Sequence, residues 1–451
     1  MYKNHYLRLA SQKVFQLKKS IKSLLNQFNL SKFKRLSKEG GWVIGGQIGT
    51  FIGSFFLVRV LTEYLDPVDY GKLALGLTVA GFINQLIMGG ISNGITRFYS
   101  IAIEKNDLPG YLSSSKIIMF YATIFVILVG VSIIFILEMI DSKQWISISI
   151  AALFYSLFSA YNGVISGIQN SARQRKTVAM HGILDAWLKI ALAILVMLIF
   201  GKSGTSVVWG YTISIFIVTL SQLYFINKLI KSENSIRGKV NQKWIKQILN
   251  YSWPFFLWGI FNWAQQSAGR WSLELYVNTE DVGYFSLLTQ IGSSPIQVFV
   301  GLMMSFLMPI VFSRAGDGSD INRNKKAWEI LKLFALGILF LTLIVFLFAF
   351  GFHKFVFEVL VSKKYWAVSY LLPWIVLSGG ASSMALIIAT HMHALKKTAN
   401  LAISQIGGSM VGIIATFLLV KYFGMIGAIY SSIIYSVSYL LLTIYVVKKN
   451  N

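Results

Sequence analysis

Residues 59–73, RVLTEYLDPVDYGKL, recur as residues 271–285, WSLELYVNTEDVGYF. Tyr64, Asp69 and Gly71 fall on Tyr276, Asp281 and Gly283, each 212 residues later. Two weaker matches follow in the same order, RKT (175–177) over KKT (396–398) and FGKSG (200–204) over FGMIG (423–427). In both copies of the long match, an apolar run enters a short acidic turn and a second apolar run leaves it. The chain therefore reads as one unit written twice.

The apolar runs decide what solvent the unit needs. Of 451 residues, 55% are hydrophobic and 13% charged, against about 25% charged in soluble domains. So few polar residues cannot cover two or three soluble domains, which excludes a cytosolic enzyme, a secreted domain and a disordered chain. A membrane helix needs about 20 mostly apolar residues. Twelve such spans are predicted at 40–62, 71–97, 117–139, 145–170, 178–200, 205–228, 248–272, 283–312, 328–352, 366–390, 399–420 and 425–447. The expected fold is an all-α integral membrane protein of two six-helix bundles around a central cavity. Six spans per half keep the halves in the same orientation, so their symmetry axis runs along the membrane normal, as in transporters built from parallel repeats. The divisions are a basic segment 1–38, bundles 39–228 and 248–447, a linker 229–247 and a tail 448–451.

Lys plus Arg number 41 and Asp plus Glu 17, a net charge of +24. With both termini inside, the inner segments hold 31 of the basic residues and the outer loops seven. Cytoplasmic loops are the Lys- and Arg-rich ones, so the excess follows membrane topology and implies no nucleic acid. Within 1–38, Val14, Leu17, Ile21, Leu24, Leu25 and Phe28 recur at helical spacing between lysines. That pattern suits an in-plane amphipathic helix on anionic lipid, or else a solvated basic tail. The same segment has no signal-peptide core. With no cysteine, five histidines, no HExxH and no glycine upstream of GKS 201–203, neither a cofactor, a metal centre nor ATP hydrolysis is expected. His391-x-His393 is a weak metal signal. The outer loops are too short to build a catalytic domain, which argues against a membrane polymerase or glycosyltransferase.

A glycine-rich first helix, Arg-x-Leu, the DYG turn and a second helix ending in GGISNGITRFYS together resemble the polysaccharide-transport (Wzx-type) flippases. These belong to the multidrug/oligosaccharidyl-lipid/polysaccharide exporter superfamily. The resemblance covers about residues 39–449. It implies a V-shaped pair of bundles in the bacterial cytoplasmic membrane. Its implied activity is moving an undecaprenyl-pyrophosphate-linked oligosaccharide between leaflets for O-antigen or capsule synthesis, with a polymerase and chain-length machinery as partners. A multidrug antiporter of the same superfamily is the competing expectation, and it would line its cavity with acids.

Ionisable groups inside a span cost about 2.5–3.5 kcal/mol at its centre, so each needs a partner or a wet cavity. Span seven carries Asn262, Gln266, Arg270 and Glu274 at i+4 spacing, with Trp258 one turn earlier. This face suits a pyrophosphate-sugar headgroup, Arg supplying a planar fork for phosphate oxygens. The bland alternative is an Arg270–Glu274 ion pair. Span two carries Gln85, Gly89, Asn93 and Arg97 at the same spacing, and Arg59 ends span one. Both arginines are candidate substrate contacts. In the lipid II flippases, similar at superfamily level, arginines of the N-terminal half engage the diphosphate. Either arginine can equally snorkel to the interface. Span five carries Thr177, His181, Asp185 and Lys189. Intramembrane His and Asp are typical relay groups, so the stripe is either an ion-coupling site or a neutralised pair. Gly41, Gly45, Gly49 and Gly53 form a ridge for close helix packing, while Pro254, Pro295, Pro309 and Pro373 are candidate hinges or kinks.

Overall fold

The structure, a computed structural model, describes residues 30–232, 238–316, 320–395 and 397–450. The predicted amphipathic segment before Leu30 and part of the linker lie outside them. The described residues are helical with no strand. The helices are α1 (Leu30–Tyr64), α2 (Pro67–Ile83), α3 (Gly90–Glu104), α4 (Leu108–Met139), α5 (Ile146–Ser171), α6 (Arg175–Phe200), α7 (Gly204–Ser232), α8 (Gln242–Tyr276), α9 (Thr279–Gly292), α10 (Ser294–Ala315), α11 (Ile321–Leu360), α12 (Leu372–Ala394) and α13 (Thr398–Asn450). A π-helical stretch, Asn84–Gly89, joins α2 to α3 as one pass. α9 and α10 form another, and α13 folds at Gly424 into two. Among the described residues twelve passes result, each overlapping one predicted span.

Among the described residues, nine segments are long and apolar enough to cross a membrane. One of them, Ala402–Lys449, contains both passes of α13. The two passes outside that set are the second, 67–104, and the seventh, α8. They carry the polar stripes of spans two and seven. Lipid-facing helices look different: α4 exposes Phe120, Phe125, Leu128 and Phe135, and α11 exposes Leu336, Phe340 and Leu347. In water such surfaces would be an aggregation hazard.

The quoted repeat is visible as matched turns. Asp66 accepts a hydrogen bond from the Asp69 N–H at 2.8 Å, and Asn278 accepts one from the Asp281 N–H at 2.8 Å. Each side chain caps the helix that follows, satisfying an orphan N–H of its first turn. Positions 66 and 278 are again 212 apart. The FGKSG and FGMIG match is visible as well, since Gly201 (φ 99°) and Gly424 (φ 54°) both turn the chain in the left-handed region that only glycine enters freely.

Helix α9 packs along α2, so the two copies meet. A Cβ on Gly71 would lie 2.0 Å from the Thr279 carbonyl oxygen, and one on Gly283 would lie 2.0 Å from that of Pro67. Pro67 and Thr279 are themselves repeat partners, so the contact is reciprocal about a pseudo-twofold axis. This end of the molecule, where the capped turns and both left-handed glycines lie, is called the DYG end. The opposite end, with the turns at 105–107, 172–174 and 238–241, is the basic end.

One apolar core runs through both halves, from Leu61 and Leu73 to Leu287, Ile375 and Ile429 at the DYG end, and continues along the second half to Leu331 and Val447. A second lies toward the basic end, built on Ile95, Tyr111, Ile168 and, from α8, Trp244 and Ile248. The start of α8 thus packs on the first half. Trp244 Nε1 donates to Asp107 Oδ2 at 2.8 Å, and the Asn241 N–H donates to Ser114 Oγ at 3.0 Å.

The glycine ridge of α1 is placed differently from the sequence expectation. Gly41 and Gly45 face open space, whereas Gly46, Gly49 and Gly53 lie against Ala179, Ile183 and Ala186 of α6. The packing stripe follows i, i+3, i+7, which tracks the 3.6-residue turn better than a strict four-residue step. The prolines also divide: Pro254 is inside α8, while Pro295 and Pro373 open α10 and α12, where a missing N–H costs nothing.

Candidate functional site: a cavity between the halves

Behind the DYG end lies a cavity of about 270 Å³. The first half lines it with α1 (Thr50, Ser54, Leu57, Val58, Leu61), α2 (Tyr70, Leu73, Ala74, Leu77), α6 (Asp185, Ala186, Lys189) and Tyr211 of α7. From the second half come Arg270 of α8 and Ser286 and Gln290 of α9. A smaller cavity of about 110 Å³ shares Thr50, Ser54, Val58 and Gln290 and adds Gln47 of α1 and Ser294 and Pro295 of α10.

The charged groups sit at the cavity's core. Asp185 Oδ2 accepts from Lys189 Nζ at 2.6 Å, and its other oxygen accepts from Ser214 Oγ at 3.2 Å. Lys189 Nζ also lies 5.5 Å from the centre of the Tyr155 ring and 5.8 Å from that of Tyr211, within cation–π reach. The ammonium is thus held by one carboxylate and two ring faces. Arg270 is half-buried and donates through Nε to Ser286 Oγ at 2.9 Å. No ion pair between Arg270 and a carboxylate forms among the described residues. Glu274, the expected partner, instead accepts from Thr279 Oγ1 at 3.1 Å, and its other carboxylate oxygen is buried without a partner. The lining therefore holds two cations and one acid. Its guanidinium keeps most of its donor fork free, in a wall where charge is expensive without a counter-ion.

The structure brings together Arg270, Asp185 and Lys189 from two separate sequence stripes, and leaves the other candidates outside the lining. Gln266 is exposed and donates to Asn262 Oδ1 at 3.3 Å, further along α8, and Trp258 is partly exposed one turn beyond. His181 is buried between α6 and α7, its Nδ1 2.8 Å from the Thr177 carbonyl and its Nε2 3.0 Å from Ser221 Oγ. The span-two stripe presumed an unbroken α-helix. Gln85 falls in the π-helical stretch, whose wider turn shifts the register before Asn93 and Arg97, both exposed. Arg59 reaches the other half at the DYG end, donating through Nη1 to the Val361 carbonyl at 2.5 Å. Among the described residues no cluster of three or more His, Asp or Glu could hold a metal ion.

Two polar stripes were missed: Gln47, Thr50 and Ser54 on α1, and Ser286, Gln290 and Ser294 on α9–α10. Their spacing was legible. Hydroxyls give a weak signal because they can bond their own helix, as Thr50 Oγ1 does to the Gly46 carbonyl and Ser54 Oγ to that of Thr50.

Among the described residues, twelve passes in two repeated halves around a shared polar cavity define a multi-pass membrane protein. The chain belongs to the polysaccharide biosynthesis protein family, which matches residues 36–315. No curated protein matches the sequence. Among solved structures it is similar to lipid II flippase MurJ in an inward closed conformation, with a TM-score of 0.69 at 15% identity over 90% of this chain and 87% of that one. It is also similar to a multidrug resistance MATE family transporter of the MOP superfamily. The inward-facing form gives a TM-score of 0.62 at 15% identity over 89% and 93% of the two chains. The outward-facing form gives 0.57 at 15% identity over 92% and 97%. The fold is therefore that of the multidrug/oligosaccharidyl-lipid/polysaccharide exporter superfamily.

Proposed function

We propose that the protein flips an undecaprenyl-pyrophosphate-linked oligosaccharide across the bacterial cytoplasmic membrane for surface polysaccharide synthesis, such as O-antigen or capsule. It does so by alternating access of the central cavity. The observation that carries this reading is Arg270: a guanidinium lining the cavity from the second half, with no carboxylate paired to it among the described residues, in the same lining as Lys189 of the first. A planar fork with free donors suits the oxygens of a diphosphate. Family membership and the likeness to a lipid II flippase support the same cargo class. An antiporter for cationic drugs needs the opposite field, and the lining has one acid against two cations.

In this reading both termini face the cytoplasm, the DYG end faces outward, and the halves divide at the linker 229–247. The protein is a carrier and no enzyme. Its partners are membrane lipid, the lipid-linked oligosaccharide, and a polymerase with chain-length machinery. Asp185, paired with Lys189 and one turn from His181, is the coupling group for a proton or sodium ion. The test is export of the surface polysaccharide by a deletion strain complemented with Arg270→Ala, Glu274→Ala or both, normalised to membrane protein level. The expected result is loss in both variants lacking Arg270. Full export by the double variant would reduce Arg270 to a structural charge.

A further inference from the structure

Two cations are exchanged between the halves at the DYG end. Arg59, in the last turns of α1, donates through Nη1 to the carbonyls of Val361 at 2.5 Å and Glu358 at 3.3 Å, where α11 ends. Lys364, just past α11, donates through Nζ to the carbonyls of Glu63 at 3.2 Å and Leu65 at 3.4 Å, where α1 ends. The last carbonyls of a helix have no partner inside it and carry the negative end of its dipole. Each helix end is thus capped by a cation of the opposite half. Two further bonds cross the seam: the Ser362 N–H to Thr62 Oγ1 at 3.2 Å, and the Tyr365 hydroxyl to the Leu65 carbonyl at 3.4 Å. The Arg59–Glu63 contact, by contrast, is a loose pair within α1 at 3.7 Å between half-exposed side chains. It would persist if the halves parted, whereas the cross-half bonds would not.

We propose that Arg59 and Lys364 form a reciprocal latch that holds the DYG end shut over the cavity and sets the ratio of closed to open molecules. The acceptors are main-chain carbonyls at helix ends, so separating α1 from α11 breaks every bond of the latch together. Both side chains are near solvent and can be rehydrated on opening, which keeps the closed state favoured but reversible. The inference rests on the alternating-access reading only in requiring this end to open, and the cargo does not enter it.

The chain lacks cysteine, so introduced thiols are the only ones. Spin labels on Lys143→Cys and Tyr422→Cys, exposed positions at the DYG end of the two halves, report the separation in lipid nanodiscs by pulsed dipolar spectroscopy. The parent is expected to show mainly the short distance. Arg59→Gln with Lys364→Gln should raise the ratio of long to short distances about tenfold, the scale of losing charged hydrogen bonds. Glu63→Gln, which removes only the pair within α1, should leave the ratio unchanged. Should the double variant fail to fold, Lys364→Gln alone must move the ratio in the same direction. An unchanged ratio in whichever latch variant folds, or an equal shift with Glu63→Gln, would overturn the latch. This readout needs no transport, so it can fail while the cargo reading stands.

Discussion

Arg270 and Glu274 lie one turn apart on α8, the spacing at which opposite charges usually pair, yet they do not. Arg270 turns to Ser286 and Glu274 is taken by Thr279. If the arginine holds a phosphate oxygen, its loss removes a charge-assisted bond of about 1.5–3 kcal/mol. Arg270→Ala should then weaken binding of the lipid-linked substrate by roughly tenfold to a hundredfold. Arg270→Lys, which keeps charge but not the fork, should fall between. A double-mutant cycle with Glu274→Ala should show coupling near zero, since the two side chains share no bond. Asp185 and Lys189 should behave in the opposite way. Breaking a partly buried pair strands one charge, at a cost below the roughly 3–5 kcal/mol of a fully buried one, while removing both is milder. Asp185→Asn should therefore lower the thermal midpoint in detergent more than Asp185→Asn with Lys189→Met. If Asp185 couples transport to an ion, neither variant should respond to an imposed gradient.

At the scale of helices, the DYG end depends on backbone meeting backbone. Gly71 and Gly283 touch carbonyls of Thr279 and Pro67, and main chain cannot swing aside as a side chain can. Gly71→Ala and Gly283→Ala should each impair closure and export, and by similar amounts because the contacts are repeat partners. Gly45→Ala faces open space and should leave the thermal midpoint of the purified protein unchanged, whereas Gly46→Leu should lower it against Ala179. These helices were mostly legible in the sequence. Apolar length marked the passes, and the 212-residue offset marked which turns correspond, because caps and close-approach glycines demand particular residues at fixed positions. The cavity was less legible. Asp185, Lys189 and Arg270 stood out because ionised groups cannot be left against lipid, but nothing local to either stripe said that α6 and α8 share one space. Arg59 and Arg97 stood out for the same reason and sit elsewhere. The π-helical stretch in the second pass left no periodic signal, and the hydroxyl stripes of α1 and α9–α10 hid among helix-bonded Ser and Thr.

Over the whole molecule, the two copies are unequal in chemistry though alike in fold. The first half supplies the Asp185–Lys189 pair and the second supplies Arg270 to the same cavity, so an anion bound there would bridge the halves. In the proposed orientation, which rests on the 31-to-7 division of basic residues, the DYG end lies outside. Single cysteines at Lys143 and Lys202 should react with an impermeant maleimide from outside intact cells, and one at Lys176 only after permeabilisation. In the proposed function this cavity carries a diphosphate-linked sugar chain from one leaflet to the other. It is tested most directly in proteoliposomes holding the purified protein and undecaprenyl-pyrophosphate-linked oligosaccharide, with sugar newly exposed on one face captured by a lectin over time. The expected result is translocation well above that of protein-free vesicles, slowed roughly tenfold to a hundredfold by Arg270→Ala. Wild-type protein no faster than empty vesicles, or Arg270→Ala as fast as wild type, would contradict it.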